Sequence, residues 1–289
     1  MNASLALRTQ LLQRIVEWSH ACPEVQAVAL VGSGARGDYP ADEWSDIDLI
    51  LVTSTPDCFL QSSGWLDAID EPWISTVERD SAGKIVERRV LFRSGVDVDF
   101  IVLSVERVQA LREEPLASII SRGMQVLLDK GDTFPLLHPT ERAVQRACPP
   151  SLVEFSELVN DFWFHVVWTA KKIKRGELWT AKSCCDVYMK RLLLTMIEWH
   201  THALDGWEIE TWYNGRFIER WASASLLERL PAVFAHYEEA DLWKALANTA
   251  MVFDTLARET AQQLHYPYPD SDAQSITNWL AALSPVTPG

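Results

Sequence analysis

Several hallmarks of common protein classes are missing from this sequence. No apolar run approaches the roughly 18 residues that a membrane-spanning helix needs, so we expect no membrane partner. The chain has five cysteines, an odd number that cannot all pair in disulfides, and their spacings match no zinc-binding pattern. No signal peptide is recognisable, so we expect reduced thiols and a cytoplasmic protein.

Positive charge is also scarce. The chain carries 26 Lys and Arg residues against 40 Asp and Glu residues, which gives a formal net charge of −14. Proteins that bind nucleic acids normally show a basic stripe, and none is present, so we expect no nucleic-acid partner. Clefts of one sign concentrate ligands of the other, so a cationic small molecule suits this chain. The simpler alternative is an acidic surface that only keeps the protein soluble.

The first half of the chain has the pattern of a sheet with a few helices. Short apolar runs alternate with segments rich in Gly, Pro and acidic residues, as is typical of buried strands and their connections. The predicted strands are 26–31, 46–52, 73–79, 86–93 and 96–103, with a further apolar run at 123–129 and predicted helices at 5–19, 62–69 and 104–112.

The second half has a helical period. Ser151 is a predicted helix N-cap, and Glu154 completes a capping box with it. The predicted helices are 151–175, 178–204, 225–236 and 239–264, preceded by a linker with Pro135, Pro139, Pro149 and Pro150. We therefore predict an α+β chain, with a mixed-sheet domain at 1–140 and a helical bundle domain at 150–289.

A glycine-rich segment, Gly32 to Gly37, follows the first predicted strand. It matches the dinucleotide pattern G-x-G-x-x-G, but Asp46 opens a new strand only nine residues later, which leaves no room for the helix that such a loop requires. A tight glycine turn also presents backbone N–H groups to anions. Gly32, Ser33 and Arg36 are therefore candidate phosphate-binding residues. An ordinary glycine-rich turn is the alternative.

Two pairs of aspartates carry the strongest chemical signal. Asp46 and Asp48, and likewise Asp97 and Asp99, lie two residues apart on predicted strands, so each pair points to one face. If the strands are neighbours, three carboxylates meet, which suits the hard divalent cations of phosphoryl and nucleotidyl transfer. A carboxylate beside an acceptor hydroxyl also serves as a general base. For each pair taken alone, a solvated strand end is the alternative.

Together these segments resemble the nucleotidyltransferase superfamily that includes DNA polymerase beta. The residues concerned are Gly32-Ser33, Ser45-Asp46-Ile47-Asp48 and Val98-Asp99-Phe100. Over nearly its whole length, the chain resembles more closely the aminoglycoside 6-adenylyltransferases, or streptomycin adenylyltransferases. The further stretches that carry this likeness are Val126-Leu127-Leu128-Asp129-Lys130, Phe162-Trp163, Met196-Ile197-Glu198-Trp199, Phe217-Ile218-Glu219-Arg220 and Leu264-His265-Tyr266-Pro267-Tyr268-Pro269.

The resemblance implies a reaction and a set of roles. It implies ATP as co-substrate, Mg²⁺, AMP transfer to a streptomycin hydroxyl and release of pyrophosphate. Asp46 and Asp48 would be metal ligands, and Asp99 would be a third metal ligand or the base that takes the acceptor proton. Residues 1–140 would form the nucleotidyltransferase domain and residues 150–289 the helical substrate-binding domain.

The glycine turn departs from the family pattern. Members of the family carry Arg directly after the Gly-Ser pair, whereas this chain has Gly34 there and its arginine is Arg36. The departure implies either that the phosphate contact is rebuilt or that the nucleotide preference differs.

The helical half offers three further candidates. Lys182, Asp186 and Lys190 are spaced four residues apart, so they share one helix face. The lysines are candidate ligands of the triphosphate, and Asp186 is a candidate ligand of a cationic acceptor. A solvated face with ion pairing is the interpretation that the spacing alone favours. We expect His200 and His202 to be surface residues.

Other functions compete with this prediction. The same chemistry is compatible with another acceptor, such as a lincosamide or a protein hydroxyl. A catalytically inactive nucleotide-binding module and a nicotinamide-dependent redox enzyme are the alternatives from other classes. The predicted partners are thus a nucleoside triphosphate and a cationic small-molecule acceptor, while the oligomeric state is left open.

Overall fold

The structure is a computed structural model that describes residues 3–37, 41–79, 85–110, 123–134 and 147–284. Its contacts divide the chain into two compact units, Met1–Val144 and Gln145–Gly289. The predicted linker residues Pro135 and Pro139, the end of the predicted helix 104–112 and the predicted boundary at residue 140 lie outside the described residues.

The first unit is built on a six-stranded sheet. Its strands are β1 (Val25–Leu30), β2 (Ile47–Thr53), β3 (Pro72–Arg79), β4 (Val86–Phe92), β5 (Asp97–Ser104) and β6 (Gln125–Asp129), and its helices are α1 (Ala3–Ala21), α2 (Pro56–Gln61) and α3 (Val105–Ala110). Each predicted strand is present within two residues of its predicted ends. The predicted helix 62–69 is a 3-10 helix over Gly64–Ala68.

The order of the strands brings the two aspartate pairs together. The sheet runs β3-β4-β5-β2-β1-β6. β2 pairs in parallel with β5, whereas the other neighbouring strands are antiparallel, so the sheet is mixed. The register aligns Asp48 with Asp99. The condition for a three-carboxylate cluster, that these strands be neighbours, is therefore met.

The central strands are buried on both faces. Leu49 and Leu51 pack into one apolar cluster with Leu11 and Ile15 of α1. Ile50 of the same strand packs into a second cluster on the opposite face. Strands buried on both faces read as continuous apolar runs, which is why β1, β2 and β5 were recognisable in the sequence.

The second unit is helical. Its helices are α4 (Leu152–Lys174), α5 (Leu178–Ser183), α6 (Met189–Asp205), α7 (Ile218–Trp221), α8 (Ala224–Arg229), α9 (Glu239–Leu264) and α10 (Asp270–Leu283). Ser151 and Glu154 form the predicted capping box at the start of α4. Phe162 of α4 stacks on Phe253 of α9, with ring centroids 3.6 Å apart, at the centre of the core. The α+β fold class is confirmed.

The long predicted helix 178–204 is interrupted. A turn of π-helix, Cys184–Tyr188, joins α5 to α6. Such wide turns insert one residue into the helical ladder and frequently occur at functional sites. Cys184 and Cys185 are both buried here, which excludes them as exposed redox thiols.

The structure also differs from the sequence analysis elsewhere in this unit. The helix α10 was not predicted, because its sequence begins with a polar stretch that shows little apolar periodicity. His200 and His202 are buried rather than at the surface. His200 pairs with Glu259 at 2.6 Å, and His202 contacts Thr211 at 3.1 Å, so tertiary partners satisfy both rings. Among the described residues, no helix has the length and apolar character that a membrane crossing requires.

Glu198 of α6 gives the second unit a pH-dependent stability. Burial raises the pKa of Glu198 to about 7, so the folded chain holds a proton that the unfolded chain releases near pH ~4.3. Stability therefore falls as pH rises between these values, and the penalty is fully present above pH ~7. We expect Glu198→Gln to raise the melting temperature by a few degrees at pH 8 and by less at pH 5. An equal shift at both pH values, or the same shift in the exposed Glu157→Gln control, would contradict this.

Candidate active site

Three carboxylates converge at one end of the parallel strand pair. Asp46 immediately precedes β2, Asp48 is its second residue, and Asp99 is the third residue of β5. One oxygen from each lies within 4.8 Å of the others, and all three side chains are partly buried. Asp97 is exposed and stands outside this cluster. The structure thus brings together the three aspartates chosen from the sequence.

The environment of Asp99 disfavours the ionised form of its carboxyl group. Burial raises the pKa of Asp99 to about 6. The guanidinium of Arg89, whose Nε lies 3.4 Å from Asp99 Oδ2, opposes this shift, while Glu87, Asp46 and Asp97 add to it. Negative groups crowded in this way are stabilised by a cation, and carboxylate oxygens are the ligands that Mg²⁺ prefers. The donor set therefore fits a divalent metal.

The glycine turn lies directly against these carboxylates. Gly32–Gly34 forms a short 3-10 turn after β1, and the Val31 N–H donates to the Asp48 carbonyl oxygen at 3.0 Å. Gly32 has φ +62°, and a Cβ built on it would lie 2.1 Å from Asp48 Oδ2. Only glycine combines this backbone conformation with so close an approach.

Ser33 carries an unsatisfied hydroxyl in the same turn. Its side chain is buried, and Oγ has no hydrogen-bond partner in the described structure. Buried polar atoms without partners are uncommon and call for an explanation, such as a ligand oxygen that completes the bond. Arg36 is partly buried two residues beyond the turn. This turn therefore fits an oxygen-rich anion such as a phosphate.

The structure agrees with the exclusion of a dinucleotide-binding loop from this segment. β1 and β2 pair antiparallel, and Asp46 follows the turn without a long helix in between. A dinucleotide-binding loop requires parallel strands joined by such a helix.

The candidates in the second unit have partners of their own. Lys182 contacts Asp186 and the Ala235 carbonyl oxygen. Lys190 donates to the Cys185 carbonyl oxygen and to Thr249 Oγ1, both at 2.9 Å, and lies 3.9 Å from Asp186. The ion pairing that the spacing favoured is therefore present, but the face is not solvated, because the side chains of Lys190 and Asp186 are only 11% and 15% exposed. Roles of these three residues in ligand binding remain predictions.

One residue at the site was missed in the sequence. Arg8 of α1 is buried, and its Nη2 donates to the Asp46 carbonyl oxygen at 3.3 Å. Burial lowers the pKa of Arg8, while the negative charges of Asp46, Asp48 and Asp42 oppose this. The available signal was a charged residue in the same helical register as the core residues Leu11 and Ile15.

Known proteins are similar in sequence to this chain over almost its whole length. The chain is 23% identical over 274 residues to an aminoglycoside 6-adenylyltransferase of Campylobacter jejuni, with 92% of each chain covered. It is 24% identical over 270 residues to the protein of that name from Bacillus subtilis, with 90% of this chain and 91% of that protein covered. A crystal structure of a Bacillus subtilis aminoglycoside 6-adenyltransferase matches 99% of this chain and 100% of that chain, at 17% identity and a TM-score of 0.45.

The family assignment rests on a family model rather than on any one pairwise comparison. The family model described as Streptomycin adenylyltransferase matches residues 7–283. This span includes the glycine turn, the three clustered aspartates and nearly all of the helical unit. The chain therefore belongs to the streptomycin adenylyltransferase family and is a nucleotidyltransferase.

Proposed function

We propose that this enzyme transfers AMP from ATP to a hydroxyl of streptomycin, depends on Mg²⁺ and releases pyrophosphate. The observation that carries the proposal is the cluster of Asp46, Asp48 and Asp99, placed across two parallel strands and against a glycine turn. Nucleotidyl transfer depends mainly on positioning and on neutralising phosphate charge, and this arrangement offers both. The proposal includes a cytoplasmic location, where ATP would be available as the donor.

The three carboxylates would hold the metal. Mg²⁺ binds to a few carboxylate oxygens and keeps its remaining positions for water and substrate phosphates. When bound, it would neutralise charge on the phosphates and orient them. The partly buried position of all three side chains supports this assignment.

The chain's own groups would complete the chemistry. The turn at Gly32 and Ser33 would hold phosphate oxygens, with Arg36 adding positive charge. The acceptor oxygen attacks the α-phosphorus, the bond to the pyrophosphate oxygen breaks, and the acceptor proton passes to a base. Asp99 serves as that base or as the third metal ligand. If Asp99 is the base and does not bind the metal, the pKa of about 6 that burial gives it suits that role at neutral pH.

The acceptor is proposed from charge and from the relatives' names. Relatives named aminoglycoside 6-adenylyltransferase cover about nine-tenths of this chain. Aminoglycosides are cationic, and a net charge of −14 favours their approach. Within the second unit, we assign Asp186 to the acceptor, and Lys182 and Lys190 to the triphosphate. Such contacts require these side chains to exchange their present partners. Salt screens the attraction between an acidic protein and a cationic acceptor, so activity at raised ionic strength should fall.

The proposal predicts acceptor-dependent pyrophosphate release. With ATP, Mg²⁺ and streptomycin, we expect release that stops when streptomycin is omitted. The same assay with other aminoglycosides, a lincosamide and other nucleoside triphosphates defines the acceptor and donor. Pyrophosphate release with a lincosamide but with no aminoglycoside would support nucleotidyl transfer and would identify a different acceptor. Tight ATP binding without pyrophosphate from any acceptor would support the inactive binding module instead.

A further inference from the structure

Arg8 lies at the glycine turn although it is distant from it in sequence. Its Nη2 is 3.0 Å from the position that a Cβ on Gly34 would take. The same Nη2 donates to the carbonyl oxygen of Asp46 at 3.3 Å. One guanidinium group therefore lies beside the turn and donates a hydrogen bond to the residue that carries the first carboxylate.

Two successive turns of helix α1 contact the segment that precedes β2. Ser4 Oγ donates to the Glu43 carbonyl oxygen at 3.0 Å, one helical turn before Arg8. Residues four apart lie on the same helix face, so Ser4 and Arg8 form a continuous row of donors. Their two acceptors lie three residues apart in the segment that ends at Asp46. The row fixes this segment relative to α1.

The burial of Arg8 has an electrostatic rationale. Only 9% of the residue is exposed, and its Nε is buried without a hydrogen-bond partner. A buried charge is costly unless opposite charges compensate for it. Asp46, Asp48 and Asp42 supply part of that compensation, while burial has the larger effect and lowers the pKa of Arg8. A residue that only filled space would be apolar, as Leu11 on the same face is.

We propose that Arg8 is a positioning residue of the active site, whose guanidinium enters the space beside Gly34 and holds both the glycine turn and Asp46 in the geometry that binds nucleotide and metal. The inference rests on the proposed function, because it gives Arg8 a part in the same reaction.

The first test compares two arginines of α1. Arg8→Met keeps an apolar stem but removes the charge and the donors. We expect kcat/KM for ATP to fall about 10- to 100-fold, with a raised KM for ATP and an unchanged KM for streptomycin. A variant that only folds less well would lower kcat alone. The control is Arg14→Ala, which removes an equal charge from an exposed ion pair with Asp70 and should behave as wild type.

The second test moves the guanidinium. Gly34 has no left-handed φ, so position 34 accepts a side chain if the Leu30 methyl groups, 3.0 Å from its Cβ position, shift by a few tenths of an ångström. The double variant Arg8→Ala/Gly34→Arg removes the guanidinium from α1 and places one on the turn itself. Its side chain starts beside the space that the Arg8 guanidinium occupies in wild type. We expect kcat/KM of the double variant to be at least about tenfold higher than that of Arg8→Ala. Such a rescue would be a non-additive effect of neighbouring residues.

Each outcome decides the matter. A wild-type KM for ATP in Arg8→Met, an equal loss in Arg14→Ala, or no recovery in a double variant with a wild-type melting curve would overturn the proposal. If the double variant does not fold, Arg8→Lys decides, because activity above that of Arg8→Met supports the role and equal activity contradicts it. If wild type transfers no AMP at all, the proposed function fails. Calorimetric binding of Mg²⁺ and ATP to the variants then tests Arg8 separately.

Discussion

Gly32→Ala is expected to reduce adenylyl transfer by at least about 100-fold while leaving most of the protein folded. The new Cβ would lie 2.1 Å from Asp48 Oδ2 and 2.9 Å from its Cγ. The carboxylate is the end of a flexible side chain, so it relieves the clash by rotating out of the cluster. The left-handed φ of +62° adds backbone strain of about 1–3 kcal/mol. Steady-state kinetics and thermal unfolding measure the two effects.

Gly37→Ala is the matched control in the same segment. A Cβ on Gly37 meets no atom within 4 Å, and its backbone is not left-handed. We expect its activity within about twofold of wild type and a melting temperature unchanged within about 1 °C, as for ordinary surface substitutions. Equal losses in both variants would mean that the turn tolerates no side chain for reasons unrelated to Asp48.

The carboxylates themselves give the second large prediction. Asp48→Asn and Asp99→Asn each keep the shape of the side chain but remove one negative charge from the cluster. We expect each to lower kcat by about a thousandfold, which corresponds to several kcal/mol of lost transition-state stabilisation. Thermal stability should hold or rise, since burial and the neighbouring carboxylate Asp46 disfavour the charged form of Asp99, and Asp48 lies in the same cluster.

Asp97→Asn is the control for this pair. Asp97 shares β5 with Asp99 and lies two residues before it, but it is exposed and outside the cluster. We expect a change in kcat below about threefold, since only an exposed charge outside the cluster is lost. A loss comparable with that of Asp99→Asn would assign the third carboxylate to Asp97 and would require a different side-chain arrangement at the start of β5.

The sequence predicted those parts of the site that depend on local order. Asp46 and Asp48 share a face because strand side chains alternate, and the apolar runs after them identify buried strands. The pairing of β2 with β5 required a neighbour relation that no local pattern contains. The resemblance supplied the choice of Asp99 over Asp97, and the register then aligned Asp99 with Asp48.

Other features could not be predicted because tertiary contacts create them. Arg8 reaches Asp46 across 38 positions of sequence, and only folding of α1 onto the sheet makes that contact. His200 was predicted to lie at the surface, but it is buried because Glu259 of α9, 59 residues away in sequence, satisfies its ring. The π-turn at Cys184–Tyr188 leaves the apolar pattern of a long helix almost unchanged, so periodicity does not reveal it.

The most direct test is to follow the acceptor itself. Streptomycin incubated with enzyme, ATP and Mg²⁺ is analysed by mass spectrometry, with pyrophosphate measured in the same sample and with Asp48→Asn and a chelator as controls. We predict one AMP adduct for each pyrophosphate released, with neither formed in Asp48→Asn nor after removal of the metal. Equal adduct formation by wild type and Asp48→Asn, or pyrophosphate release without an adduct on any aminoglycoside, would contradict the assignment of this cluster to aminoglycoside adenylylation.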